Sequence, residues 1–199
     1  MLEHQFSRNL VRTACGEARF LGPNQIEVTA EGGETRVVSA AHVLIACGTR
    51  PFRPDYVPFD GRSVFDSDEI IDLPKLPRSL AVIGAGVIGV EYATIFSALD
   101  VAVTLIEPRP TFLDFIDKEL IEEFMHELRD RNVAVRLGSA VKAIERTEGG
   151  GIVTRLSDGR NVTSEMLLFA AGRVAPPTGS IWTPPGSRSI IAAASRSIR

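Results

Sequence analysis

The chain predicts an α/β fold built on a parallel sheet, and three observations predict it. Residues 80–83 form a short apolar run fit for a buried strand. Gly84-Ala85-Gly86-Val87-Ile88-Gly89 follows at once as GxGxxG and opens a helical pattern. A second apolar run, 101–106, then ends in the acid Glu107, roughly 20 residues beyond the glycines. Gly84 permits a tight turn off the strand, Gly86 lets the backbone approach a pyrophosphate, and Gly89 lets the helix pack closely. The anion would sit at the helix N-terminus, where free N–H groups and the macrodipole favour negative charge. A lone GxGxxG also suits an ordinary strand-to-helix turn; strand, turn, helix, second strand and terminal acid in register specify a dinucleotide fold.

The remaining elements follow in chain order. Residues 3–10 read as the end of a helix, and strand-like runs follow at 11–15, 18–20, 25–29, 35–39 and 42–46. The turns GPN and EGGE break them, which is the pattern of a small β-meander feeding one buried strand. CGTRPFRPDYVPFDG is a Pro- and Gly-rich loop, and FDSDEIIDLPKLPRS reads as a short helix started by Asp66 or Ser67, then a Pro-bounded linker. A second unit is therefore expected to begin near Arg78. After Glu107, DKELIEEFMHELRDRN places Leu120, Ile121, Phe124, Met125 and Leu128 on one helical face, expected to point into the core. Residues 133–137 supply a third parallel strand and complete βαβαβ. Runs at 141–146, 151–156 and 160–163 form an antiparallel crossover around TEGGG and SDGR, and 166–170 return as a buried strand ending in Ala171-Gly172-Arg173. Two apolar runs thus end in Gly followed closely by Arg, HVLIACGTRP and MLLFAAGRVA.

Composition narrows the function classes. With 199 residues and 44% hydrophobic content the chain can form one large domain or two small ones. A net charge of −3 and a pI near 5.7, without a basic run, give no electrostatic reason to expect nucleic acid. No apolar stretch approaches a membrane span and MLEHQFSRNL lacks a signal-peptide core, so no membrane association and a cytoplasmic location are expected. Cys15 and Cys47 are too far apart for CxxC or CxxxxC and are expected to be buried, reduced thiols. His4, His42 and His126 lack metal-ligand spacing and read as structural or solvated, so no metal site is expected.

The two Gly-Arg strand ends bracketing GxGxxGxE resemble the flavoprotein disulfide reductase superfamily, in which an FAD-binding domain is interrupted by a Rossmann-like NAD(P)-binding domain. Within it, VFDSDEII, GAGVIGVEYATIF and FLDFIDKE look closest to the soluble pyridine nucleotide transhydrogenases, with dihydrolipoamide dehydrogenases second, over about residues 5–173. The resemblance implies that residues 1–77 are part of an FAD-binding domain and 78–173 the NAD(P)-binding domain. It puts Gly84, Gly86 and Gly89, with Ala85, Val87 and Ile88 between them, at the pyrophosphate of a pyridine nucleotide. Glu107 goes to the adenosine ribose, Val141 and Gly172 to the lining of the nucleotide cleft, and Gly48 to the turn beside FAD. Glu91 is implied near the nicotinamide carboxamide; a first-turn acid favoured by the helix dipole is the alternative. Val87 stands where many relatives carry an aromatic gate over the flavin, and a small residue suits exchange of two nucleotides at one flavin face.

The implied reaction is hydride transfer between NADPH and NAD through bound FAD, with NADH and NADPH as partners. Such a transfer requires no side-chain acid, base or nucleophile, so no catalytic residue is assigned. Glu107 argues for NAD, since a carboxylate repels a 2′-phosphate, yet Arg109 can receive that phosphate, and NAD versus NADP stays open. A disulfide reductase of the dihydrolipoamide dehydrogenase type, or an NAD(P)-binding module without chemistry, are the alternatives.

In relatives the first, FAD-binding GxGxxG and any CxxxxC fall before the position of residue 1, and a later flavin segment and a dimerisation domain fall after that of residue 173. A fragment that does not hold FAD tightly is therefore expected, with a homodimer implied for full-length relatives only. Beyond Arg173, VAPPTGSIWTPPGSRSIIAAASRSIR has no acidic residue and no strand or helix period. Synonymous codons for GSRSIIAAASRSIR permit LTVDHRGRIKVDP two bases out of frame, the kind of segment this family has there. Residues 174–199 are accordingly expected to be a frameshifted, disordered tail.

Overall fold

The computed structural model describes residues 2–111, 113–175 and 190–193. They divide into two compact units, one made of residues up to 50 with the described ones beyond 174, the other of Pro51–Val174.

The first unit opens with α1 (Leu2–Arg8) and β1 (Arg12–Cys15), followed by β2 (Glu17–Gly22), β3 (Gln25–Thr29) and β4 (Thr35–Ser39). The last three form an antiparallel meander in the order β2-β3-β4, with Phe20 opposite Ile26 and Ile26 opposite Val38. Ala18, Ile26 and Val28 bury one face, which is what period-two alternation dictates for a small sheet covered on one side. Asn24 closes the GPN turn by donating from Nδ2 to the carbonyls of Ala40 and Ala41.

Two expectations for this unit are corrected. Residues 42–46 form no strand, and Leu44 and Ile45 stand 90% and 64% exposed. A strand needs a neighbour for its N–H and C=O groups, and none of the described residues pairs with this run. Cys15 and Cys47 are free, but Cys15 is exposed and Cys47 partly so. On β1 the inward position belongs to Ala14, which packs on the meander core, and alternation turns Cys15 outward.

The two-residue strand β5 (Arg50–Pro51) straddles the boundary, and the second unit continues with β6 (Val64–Asp66), a 3₁₀ turn at Glu69–Asp72, β7 (Ser79–Ile83) and α2 (Val87–Ala98). Then come β8 (Ala102–Glu107), α3 (Lys118–Asp130), β9 (Ala134–Leu137), β10 (Val141–Arg146), β11 (Ile152–Leu156), β12 (Asn161–Ser164), β13 (Met166–Phe169) and the short β14 (Arg173–Val174). Five strands make a parallel sheet in the order β6-β13-β7-β8-β9, and β10-β11-β12 make an antiparallel one.

Alternate residues of the central strands divide between two cores, which explains why β7, β8 and β13 read as near-continuous apolar runs. Leu80, Val82, Val103, Leu105, Met166 and Leu168 face α2 and α3, meeting Val90, Ala93, Phe96 and Leu128. Ala81, Ile83, Ile106, Leu167 and Phe169 face the antiparallel sheet, meeting Ile144, Ile152 and Leu156. The unit is thus three layers: helices, parallel sheet, antiparallel sheet.

Four further differences from expectation have physical causes. The second unit begins near residue 51, not 78, because Val64, Phe65 and Asp66 are buried as a parallel edge strand beside β13. The expected helix after it is a 3₁₀ turn, and Asp66 starts it by accepting from the N–H groups of Asp68 and Glu69. On α3, Leu128 is buried and Ile121, Phe124 and Met125 pack on the core, but Leu120 is 64% exposed because it lies at the margin of the stripe. Finally, Ile190–Ala193 form strand β15, antiparallel to β1 with Cys15 opposite Ile190, where the tail was expected to hold no strand. An apolar, partly β-branched run suits that edge; the other residues of 176–199 lie outside the described ones.

Candidate functional site

The carboxyl ends of β13, β7 and β8 finish level with one another. Phe169 pairs with Ile83 and Ile83 with Ile106, and Gly84 N–H donates to the Ile106 carbonyl at 2.8 Å. Strand order reverses here, since α2 carries the chain from β7 to β8 while β13 enters on the other side. Ligands of open α/β sheets bind in the crevice at such a point.

The glycine turn sits at that crevice. Gly84 has φ +99, and a Cβ on it would stand 2.8 Å from the Ala170 carbonyl oxygen, so only glycine lets the turn pass the end of β13. A Cβ on Gly89 would overlap the Gly84 carbonyl oxygen, so the first turn of α2 rests directly on the loop. Gly86 differs from both: nothing lies within 4 Å of where its Cβ would be. It caps α2 with extended backbone and without a side chain, leaving first-turn N–H groups beside open space.

Glu107 braces this turn. It is buried, and its Oε2 accepts from Ala85 N–H at 2.8 Å while Oε1 accepts from the Arg109 N–H at 3.1 Å and from Arg109 Nε at 2.8 Å. Burial pushes the carboxyl upward, but the hydrogen bonds from Arg109 and Ala85 outweigh it and hold the pKa below the ordinary carboxylate value. Hydrogen bonding to Glu107 and its charge raise the Arg109 pKa in turn. The end of β8 also ties down the loop before β10: Gly138 N–H donates to the Arg109 carbonyl and Ser139 N–H to that of Glu107.

The structure therefore brings Gly84 to Gly89, Glu107 and Arg109 together. Ala85 is buried beneath the turn, Val87 is half-exposed at the start of α2, and Ile88 is partly buried. Glu91 is exposed on the first turns of α2, and its carboxylate makes no hydrogen bond or ion pair among the described residues. Val141 follows the tied-down loop and packs against the antiparallel-sheet core. Gly172, φ +113, lies just past β13, its carbonyl accepting from Phe52 N–H. Gly48 lies in the first unit, exposed, with φ +75.

A polar network beside the site escapes sequence reasoning. Arg173 Nη1 donates to Ser67 Oγ and Asp68 Oδ1, Tyr92 on α2 donates to the Ser67 carbonyl, and Arg53 Nη1 bridges Asp66 and Glu69. The recurrence of Gly then Arg at strand ends is the one signal in the sequence that marks Arg173.

Comparison with known proteins agrees with this fold. Residues 3–181 match the family described as pyridine nucleotide-disulphide oxidoreductase. The chain is 42% identical over 174 residues to a soluble pyridine nucleotide transhydrogenase of Mycobacterium bovis, covering 87% of this chain and 37% of the relative. It is 37% identical over 168 residues to that of Colwellia psychrerythraea, covering 84% and 36%. Among solved structures it is similar to LpdA from Mycobacterium tuberculosis, with TM-score 0.64, 27% identity and coverage of 82% and 36%. It is also similar to the HOCl-induced flavoprotein disulfide reductase RclA from Escherichia coli, with TM-score 0.63, 26% identity and coverage of 81% and 36%. The chain thus spans little more than a third of the length of the curated relatives it matches.

Proposed function

Because the chain belongs to the pyridine nucleotide-disulphide oxidoreductase family, we propose that it carries the NAD(P)-binding part of a flavin-dependent transhydrogenase, which exchanges hydride between NADPH and NAD. The observation that carries the reading is the open space over Gly86 at the uncapped start of α2, with the turn locked from beneath by Glu107. That space fits a pyrophosphate, whose charge the first-turn N–H groups and helix dipole favour. The relatives named above as transhydrogenases support the choice of reaction.

On this reading the chain's own residues bind and orient. Gly84 to Gly89 hold the pyrophosphate, the end of β8 receives the adenosine ribose, and Val141 and Gly172 line the cleft. Glu91, an acid one turn along α2 without a partner among the described residues, orients the nicotinamide carboxamide, and half-exposed Val87 leaves the nicotinamide face uncovered. Gly48 is given by the family resemblance to the turn beside the flavin, which supplies the hydride chemistry when bound, and its φ of +75 and open surroundings are compatible with that place. No side chain transfers a proton in this scheme. A soluble full-length protein is part of the proposal, supported by the relatives' name, and a cytoplasmic homodimer is proposed with it from the family resemblance.

Calorimetric titration of the 199-residue chain with NADH and NADPH tests the reading. Saturable 1:1 binding of at least one nucleotide is expected without added flavin; heats of dilution alone for both would overturn it.

A further inference from the structure

Resting on that dinucleotide reading, we propose that Tyr92 and Arg173 are positioning residues: gripping Ser67 from α2 and from the end of β13, they set the spacing between Glu91 and Gly172 at the nicotinamide end of the cleft. Strand order decides which end that is. With the pyrophosphate over Gly86 and the adenosine ribose at the end of β8, the rest of the dinucleotide lies on the β13 side of the turn, and β6 is the next strand out. The chain leaving β6 is a stiff support. Asp66 is buried, and its Oδ1 accepts from the N–H groups of Asp68 and Glu69. Ser67 lies within this turn, 7% exposed.

Two elements hold this one residue by different atoms. Tyr92 Oη donates to the Ser67 carbonyl at 3.0 Å, and its ring lies against that of Phe96. Burial first, then the charges of Asp68 and Glu91, raise the Tyr92 pKa, so the hydroxyl stays protonated and donates at neutral pH. Arg173 Nη1 donates to Ser67 Oγ at 3.0 Å and to Asp68 Oδ1 at 2.9 Å, and the planar guanidinium gives those contacts a fixed direction. Glu91 precedes Tyr92 and Gly172 precedes Arg173, so each grip sits one residue from a group assigned to the nicotinamide end. The glycine turn is fixed by other contacts: Gly84 on Ile106, Gly89 on Gly84, and Ala85 on Glu107. Ser67, Tyr92 and Arg173 take part in none of these, so the phosphate and adenosine end is independent of the two grips.

The test is calorimetric titration of the 199-residue chain with NADH and with ADP-ribose, which lacks the nicotinamide, beside the variants Tyr92→Phe, Arg173→Lys, Glu91→Ala and the Tyr92→Phe/Glu91→Ala double variant. The wild type is expected to bind NADH more tightly than ADP-ribose. Tyr92→Phe keeps the ring and loses the hydroxyl; it weakens NADH by about three- to tenfold, the worth of one hydrogen bond, and ADP-ribose by less than about twofold. Arg173→Lys, which cannot hold Ser67 and Asp68 with one planar group, acts in the same selective way. With Glu91→Ala already in place, Tyr92→Phe weakens NADH no further, because its grip acts through Glu91. Retained ADP-ribose binding certifies the fold of each variant, and should Arg173→Lys not fold, Tyr92→Phe carries the test. Equal weakening of both ligands by Tyr92→Phe, no weakening of NADH, or a Tyr92→Phe effect that persists in full without Glu91 overturns the proposal. A wild type that binds NADH and ADP-ribose alike also overturns it while leaving the dinucleotide reading in place; binding of neither removes that reading itself, and the proposal with it.

Discussion

Gly86 and Gly89 separate binding from folding within one motif. Gly86→Ala adds a methyl group to open space on a backbone with φ −77, which any residue adopts. The expected cost to stability is no more than about 1 kcal/mol, the difference between glycine and alanine as a helix cap. The same methyl enters the space offered to the pyrophosphate, so NADH affinity is expected to fall about tenfold or more, the worth of one charge-assisted contact. Gly89→Ala instead drives its Cβ into the Gly84 carbonyl oxygen and is expected to cost about 1–3 kcal/mol through overpacking, with binding lost alongside. Urea unfolding set beside calorimetric titration distinguishes the two, and a Gly86→Ala chain that binds NADH normally would contradict the role given to that space. The glycines are legible from spacing alone because each answers a separate steric demand. The company Glu107 keeps is less so: Arg109 is its neighbour two residues on, but Ala85 is its partner through the closeness of β7 and β8, which spacing does not encode.

Among the elements, the turn at residues 60–64 shows how one acid fastens an edge strand. Asp60 Oδ1 accepts from the N–H groups of Arg62, Ser63 and Val64, and its Oδ2 pairs with Arg146 on β10. Burial raises its pKa, but these backbone hydrogen bonds outweigh it and lower the value from 3.8 to about 2. A depressed carboxylate contributes stability above its unfolded pKa and loses it as pH falls through the folded one. About 2 kcal/mol is therefore expected to disappear between roughly pH 4 and pH 2. Asp60→Asn keeps the Oδ1 acceptor and removes the charge, so its stability should change less over that interval when followed by urea unfolding at each pH. On α3, Leu128→Ala is expected to cost about 2–5 kcal/mol and Leu120→Ala less than about 0.5, since only the former is buried. The helical period makes the stripe legible but not its edges. Strand β6 is illegible for a different reason: three residues are too few for a period, and its burial comes from pairing with β13, a hundred residues away in the chain.

At the scale of the molecule, the parallel sheet and its helices are self-consistent, whereas in the run at 42–46 only Val43 packs on a core and no described strand pairs with it. None of the described helices is long and apolar enough to cross a membrane. The sequence pattern there reads as a buried strand because composition reports what a segment suits, not whether a neighbour exists for it. No backbone N–H from Val43 to Cys47 is hydrogen-bonded to a described residue, and Leu44 and Ile45 are exposed. By contrast, β7 is hydrogen-bonded on both sides, by β13 and β8, and four of its five residues are buried. Amide exchange follows the free energy of opening, which ranges from near zero for unbonded exposed backbone to the global value for central strands. Hydrogen exchange followed by mass spectrometry should therefore show residues 43–47 exchanging at nearly free-chain rates and residues 80–83 only with global unfolding. The order of magnitude separating them measures stability of the second unit. Protection of 43–47 equal to that of β3 would mean that this run has a strand partner and that its apolar pattern is satisfied within the chain.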